Sequence, residues 1–144
     1  MGKGNTFSND LLKLIFNATA IANIADNASA SPLANLGVAL HTANPGAAGN
    51  QTTSEAAYGA YARVAVARST SGWTASTAQS TSPVANIDFP AATSGTETES
   101  YASVGTDTTT LAGKILYSGT VTPSIAVSSG VIPRLTTAST ITES

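Results

Sequence analysis

The sequence predicts an all-β chain: a single β-sandwich or jelly-roll-like domain with an N-terminal helix or arm. Three observations carry this. Apolar residues alternate with small or polar ones in seven or eight short segments separated by turn residues, the period-two pattern of half-buried strands. Helical spacing occurs convincingly in one place, close to the N-terminus. Finally, 26 Ala, 22 Thr and 18 Ser make up 66 of the 144 residues, while only 14 carry charge. Threonine favours strands, and such short side chains suit surfaces that neighbours can approach closely.

The predicted organisation is a helical arm over residues 1–30 followed by a β-sandwich domain over residues 31–144. Ser8 can cap the helix, Asp10 places a negative charge in its first turn, and Leu11, Leu14, Ile15 and Ala18 recur at helical spacing. Phe7, just before the cap, can staple onto Leu12. Ile21 and Ile24 extend the apolar face, and residues 26–32 form a loop. Such a helix plugs the open end of its own sandwich or reaches a neighbouring subunit; the plug is the plainer use.

From Leu36 the period becomes two. Leu36, Val38 and Leu40 face one way, Gly37, Ala39 and His41 the other, and Asn44-Pro45-Gly46 ends the strand. Residues 47–59 form a polar surface loop long enough to act as a contact arm. Residues 61–68 alternate again, and residues 73–77 can return as their hairpin partner after Ser71-Gly72. Further strands are expected at Ile87 and Phe89, at residues 98–104, 114–122, 125–127 and 131–136. Pro133 assigns the last to an edge, since proline donates no ladder hydrogen bond.

The composition excludes several functions. Six Lys/Arg against eight Asp/Glu, without a run of like charge, leave no basic patch for nucleic acid. Cysteine is absent, so disulfides and thiolate metal sites are excluded. No stretch approaches the ~20 apolar residues of a membrane span, and residues 1–4 are too short and polar for a secretion signal. Three Phe, one Trp, four Tyr and one Met predict a thin core, with subunit contacts supplying part of the stability.

Candidate chemistry is sparse. His41 is the single histidine and lacks recognisable partners; a strand histidine hydrogen-bonded to its neighbours is the simpler expectation. Asp88, Glu97, Glu99 and Asp107 fall in one window, and Glu97 and Glu99 would share a strand face. The dense Asp/Asn/Gly spacing of calcium loops is missing, so solvated carboxylates are expected there. Arg63 and Arg68 are either ordinary surface residues or bridges to acidic groups on a neighbouring subunit. Tyr58, Tyr61, Trp73 and Tyr101 either stack on sugar rings or fill the core. No phosphate loop, serine elbow or His/Glu metal motif occurs; no enzyme activity, cofactor or metal is expected.

A family resemblance rests on running pattern. Asn5-Thr6-Phe7 with Leu11-Leu12-Lys13, LGVALHTANPG at residues 36–46, Glu55-Ala56-Ala57-Tyr58 and YARVAVAR at residues 61–68 resemble short virion structural proteins of tailed bacteriophages. Trp73, NIDFPA at residues 86–91 and GKILYSG at residues 113–119 extend the match over almost the whole chain. Such proteins are often labelled tail fibre proteins, and capsid or tail decoration proteins are equally similar. Gly37 departs from the pattern, which expects a larger, often aromatic residue there.

The resemblance implies a non-enzymatic structural protein, made in the bacterial host cytoplasm and carried on the virion, that oligomerises and meets other virion proteins. The alternative is a receptor- or glycan-binding module at a fibre or tail tip, using Tyr58, Tyr61, Trp73 and residues 47–59 against a host-surface glycan. Candidate contact residues are Phe7, Leu11, Leu14, Ile15, Tyr58, Tyr61, Arg63 and Arg68. Neither internal repeats nor a coiled-coil shaft are present, which favours a compact knob, cap or cement, or one module of a composite fibre.

Overall fold

Nine strands form among the residues described by a computed structural model of the chain, namely 2–7, 10, 20–24, 33–74 and 80–142. They are β1 (Gly2–Lys3), β2 (Asn35–His41), β3 (Val64–Ala67), β4 (Ser80–Thr81), β5 (Ile87–Asp88), β6 (Glu97–Gly105), β7 (Ile115–Val127), β8 (Arg134–Leu135) and β9 (Ile141–Thr142). One antiparallel sheet of five strands runs in the order β1-β7-β6-β2-β3, and β4-β9 and β5-β8 form two antiparallel ribbons. The chain is all-β, as the alternation predicts.

The central strand follows the sequence pattern. Val38 lies opposite Val104 on β6 and Val64 on β3, while Leu40 lies opposite Ala102. These side chains join Tyr58, Ile87, Phe89 and Val127 in one buried cluster, against which Leu135 and Ile141 from the ribbons also pack. An apolar core therefore lies between the sheet and its ribbons. Each fully buried aliphatic or phenylalanine side chain here contributes about 1.5–3 kcal/mol. The other face of β2 is buried as well, at Gly37, Ala39 and His41, because the polar loops after β2 and β6 fold over it.

Three expectations are corrected. β3 pairs with β2, at Leu36 with Val66 and Val38 with Val64; of the partner expected at 73–77, residues 75–77 lie outside the described residues. The turn in which Ser69 accepts the Gly72 and Trp73 amides instead sends Trp73 to bridge Pro83. The two strands expected at 114–122 and 125–127 are one strand, β7. On β6, Tyr101 pairs with Thr120 and Glu99 with Ile125, so residues 121–124 of β7 bulge opposite Ser100. The last expected strand shrinks to Arg134–Leu135. Pro133 sits buried just before it, its carbonyl accepting the Phe89 amide.

At the N-terminus, Gly2 and Lys3 pair with Ser118 and Tyr117 on β7, making β1 an edge strand. Residues 5–7 are helical, and Phe7 is buried against Ile21 and Leu116. Its ring meets Tyr117 edge-on at 5.9 Å and 72°. Of the helix predicted to follow Ser8, residues 11–19, with Leu11, Leu14 and Ile15, lie outside the described residues.

Candidate functional site

The densest constellation of polar side chains covers the second face of β2. Its centre is Arg63, which immediately precedes β3 and whose side chain has no exposed surface. Nε donates to Glu55 Oε1 at 2.7 Å and Nη2 donates to Glu55 Oε2 at 2.8 Å. Nη1 donates to Asp107 Oδ1 at 2.8 Å and to the Leu111 carbonyl at 2.8 Å. Burial works against the guanidinium charge, but Glu55 and then Asp107 hold its pKa above the ordinary value. The same carboxylate of Glu55 accepts the Tyr61 hydroxyl at 3.0 Å, and Tyr61 in turn accepts the Leu40 amide at 3.1 Å. One arginine thus ties the loop after β2, the loop after β6 and the start of β3 together.

Asp107 organises its own loop. Oδ1 accepts the Thr109 amide and hydroxyl and the Leu111 amide at 2.8, 2.9 and 3.1 Å. Burial raises its pKa, but these donors and Arg63 outweigh that and hold the carboxyl below its usual range. The loop presents Leu111 at its tip, 68% exposed.

Beside this pair, the Gln51 amide is fully buried. Nε2 donates to the carbonyls of Gly37 at 3.2 Å and Asp107 at 3.1 Å, and Oε1 accepts the Asp107 amide at 2.8 Å. Three glycines make room for it. A Cβ on Gly37 would lie 1.8 Å from the Asp107 carbonyl oxygen, one on Gly105 2.3 Å from Gln51 Cδ, and one on Gly113 2.1 Å from Gln51 Oε1. At Gly37, where a larger residue was expected, any side chain would displace the 106–113 loop.

His41 completes the face. Nδ1 donates to the Thr53 carbonyl at 2.9 Å, which leaves Nε2 to accept the Ser103 hydroxyl at 2.7 Å. Burial is the largest influence and, together with Arg63, lowers its pKa despite the opposing Thr53 carbonyl and Glu55. The ring is a neutral strut between β2, β6 and the following loop.

The acidic window separates in space. Asp88 pairs with Arg134 across β5-β8 and Asp107 with Arg63, whereas Glu97 and Glu99 share a face near one end of β6. Glu97 Oε1 accepts the amides of Ala57 and Tyr58 at 2.9 and 2.8 Å. Glu99 is fully buried, and no donor among the described residues reaches either of its oxygens.

The sequence-selected contact residues turn inward where they are described. Phe7, Tyr58 and Arg63 are buried and leave a partner little surface. Tyr58 donates to the Pro90 carbonyl at 3.1 Å and meets Tyr61 edge-on at 5.3 Å, while Tyr61 stacks on Phe89 at 6.3 Å. Arg63 bridges acidic groups of its own chain. Arg68 is half-buried and donates to the Ile24 carbonyl at 2.9 Å. Trp73 packs against the core, its Nε1 buried without an acceptor among the described residues. The loop over residues 47–59 is no free arm: Gln51, the Glu55 bridge to His41 and the Ala56 amide on Leu40 fasten it to β2. Sequence reasoning missed Gln51 and Glu55; the available signal was the trio of glycines at 37, 105 and 113.

Every polar group of this constellation acts on backbone or on another side chain of the same chain, which makes it a clamp for loops. No curated protein matches the chain. The family model described as Podophage GP4 fiber I protein gp80 matches residues 3–142, and with nearly its whole length matched the chain belongs to this family of phage fibre proteins and is a virion component.

Proposed function

We propose that the chain is a non-enzymatic structural module of a phage fibre that associates with copies of itself and with other virion proteins. One observation carries this reading: the ionisable side chains that could have served catalysis, Arg63, Glu55, Asp107 and His41, are joined to one another and to backbone in a buried brace. Such a brace gives loops a fixed shape, which suits a subunit that must present the same surface in every copy. Fibre is preferred to capsid decoration because the matched family is described by a fibre protein. In this reading residues 31–144 supply the packed layers of a sandwich, and the N-terminal segment, residues 1–30, joins it through the pairing of Gly2 and Lys3 with β7.

The contact surface centres on Leu111, with Ile132 and Val84 as the other strongly exposed large apolar side chains among the described residues. Native mass spectrometry of the purified chain tests self-association. Multiples of 14.3 kDa are expected; a monomer at every concentration would refute it.

A second reading, glycan binding, is favoured by one groove of about 360 Å³ bordered by Tyr101, Lys3, Asn44 and Thr120. A half-buried tyrosine beside polar side chains suits stacking on a sugar ring. Binding to a glycan array that Tyr101→Ala abolishes would support it, and no binding would end it.

A further inference from the structure

We propose that Glu97 and Glu99 share one proton and form a pH-sensitive latch that holds residues 57 and 58 on the end of β6. The geometry demands a neutralising partner. Glu99 is fully buried, and among the described residues no donor group hydrogen-bonds to either carboxyl oxygen. Two residues away on the same face of β6 stands the carboxyl of Glu97, itself an acceptor, so the two carboxyls can bond only while one of them carries a proton.

A metal ion fits poorly. Among the described residues no three His, Cys, Asp or Glu side chains come together to hold one, and Ca²⁺ takes about 6–8 oxygen ligands. A cation from a partner subunit has no exposed Glu99 surface to reach. A proton needs no space, and it lets one buried carboxyl donate to the next, as in paired carboxyl groups generally.

The surroundings set the direction. The ionisable groups acting on or facing Glu99 are Glu97 on its own strand and Tyr58 on the facing loop; residues 120–127 of β7, alongside, contain none. Burial, then the hydrogen bond and charge of Glu97, push the Glu99 carboxyl up to about 8. Tyr58 is pushed up to about 12, by burial first and then by Glu99 and Glu97, so it stays neutral throughout. Because Glu99 binds its proton more tightly in the fold than when unfolded, this stabilisation is complete below pH 4.5, the ordinary value, and is lost as pH rises towards about 8. Two adjacent carboxylates then repel. Glu97, the partly exposed member, swings away and releases the amides of Ala57 and Tyr58 that it accepts.

The test is a ¹³C NMR titration of the glutamate side-chain carbons in the full chain, paired with thermal midpoints from pH 4.5 to 9. The Glu99 carbon is expected to titrate far above its neighbours, with amide exchange at Ala57 and Tyr58 accelerating through the same range beyond the intrinsic rise. Glu99→Gln should flatten the fall of the midpoint with pH. Should that variant fail to fold, Glu97→Gln decides: its amide can donate to Glu99, so the titration should move at least one pH unit lower. Titration of Glu99 near 4.5, an unchanged slope in Glu99→Gln, or an unmoved titration in Glu97→Gln would each overturn the latch.

Discussion

Arg63 and Glu55 face each other as fork and fork, with two parallel hydrogen bonds of 2.7 and 2.8 Å, and the arginine side chain is wholly buried. They stand eight positions apart in sequence, and the chain between them doubles back, carrying Tyr58 into the core and Tyr61 onto the same carboxylate. The pair joins Gln51 and the Ala56 amide in fastening the loop after β2 to the sheet. Burying two charges is favourable only when the geometry satisfies both, and here Asp107 and the Leu111 carbonyl occupy the remaining guanidinium edge.

Removing the guanidinium leaves Glu55 and Asp107 short of their shared cation. Arg63→Met is expected to destabilise the domain by about 3–5 kcal/mol, the range for breaking one side of a buried ion pair. Arg63→Lys should fall between this variant and the native chain, because an ammonium cannot reproduce the planar fork. Urea denaturation at neutral pH measures both; equal stability of Arg63→Met and the native chain would contradict the brace.

The glycine cradle around Gln51 is intolerant of a single methyl group. Gly37→Ala places Cβ against the Asp107 carbonyl and is expected to cost about 3 kcal/mol, at the upper end of ordinary overpacking. Gly2→Ala meets nothing within 4 Å and should stay within about 0.5 kcal/mol of the native chain. Thermal unfolding of the two variants side by side separates cradle from generic glycine loss.

His41 makes stability fall in acid. Its folded pKa lies below the ordinary 6.5, so its contribution is complete above pH 6.5 and is lost as pH falls through the folded value. His41→Gln, which can still donate to Thr53 and accept from Ser103, should lose that slope. Denaturation midpoints between pH 4 and 7 test this, and a native-like slope in the variant would assign the acid sensitivity elsewhere.

Leu111 separates assembly from folding. Because 68% of it is exposed and its loop is held through backbone and Asp107, Leu111→Ser should leave stability within about 0.5 kcal/mol. Its oligomer should dissociate at lower dilution than the native one in sedimentation velocity. Unchanged association would remove Leu111 from the subunit contact.

Strands were legible where alternation is strong. Leu36, Val38 and Leu40 announced β2, and residues 98–104 announced β6, because one face of each carries the larger apolar side chains. Pairing was less legible: Val64 and Val66 define a face but carry no mark of which strand lies beside them, so the partner of β3 was missed. The brace was hidden for a different reason. Gln51 and Glu55 sit in a polar stretch, and a buried polar side chain looks like a solvated one until its partners are known. Only the glycines at 37, 105 and 113 hinted that something bulky occupies the space above β2. Glu97 and Glu99 were legible as neighbours on one face, whereas the burial of Glu99 depends on the loop around Tyr58.

The measurement that bears most directly on a fibre role is the copy number of this chain in purified particles, by quantitative mass spectrometry against the major capsid protein. A fibre module predicts a few to a few dozen copies per particle; hundreds of copies, spread like a capsid decoration protein, would contradict it.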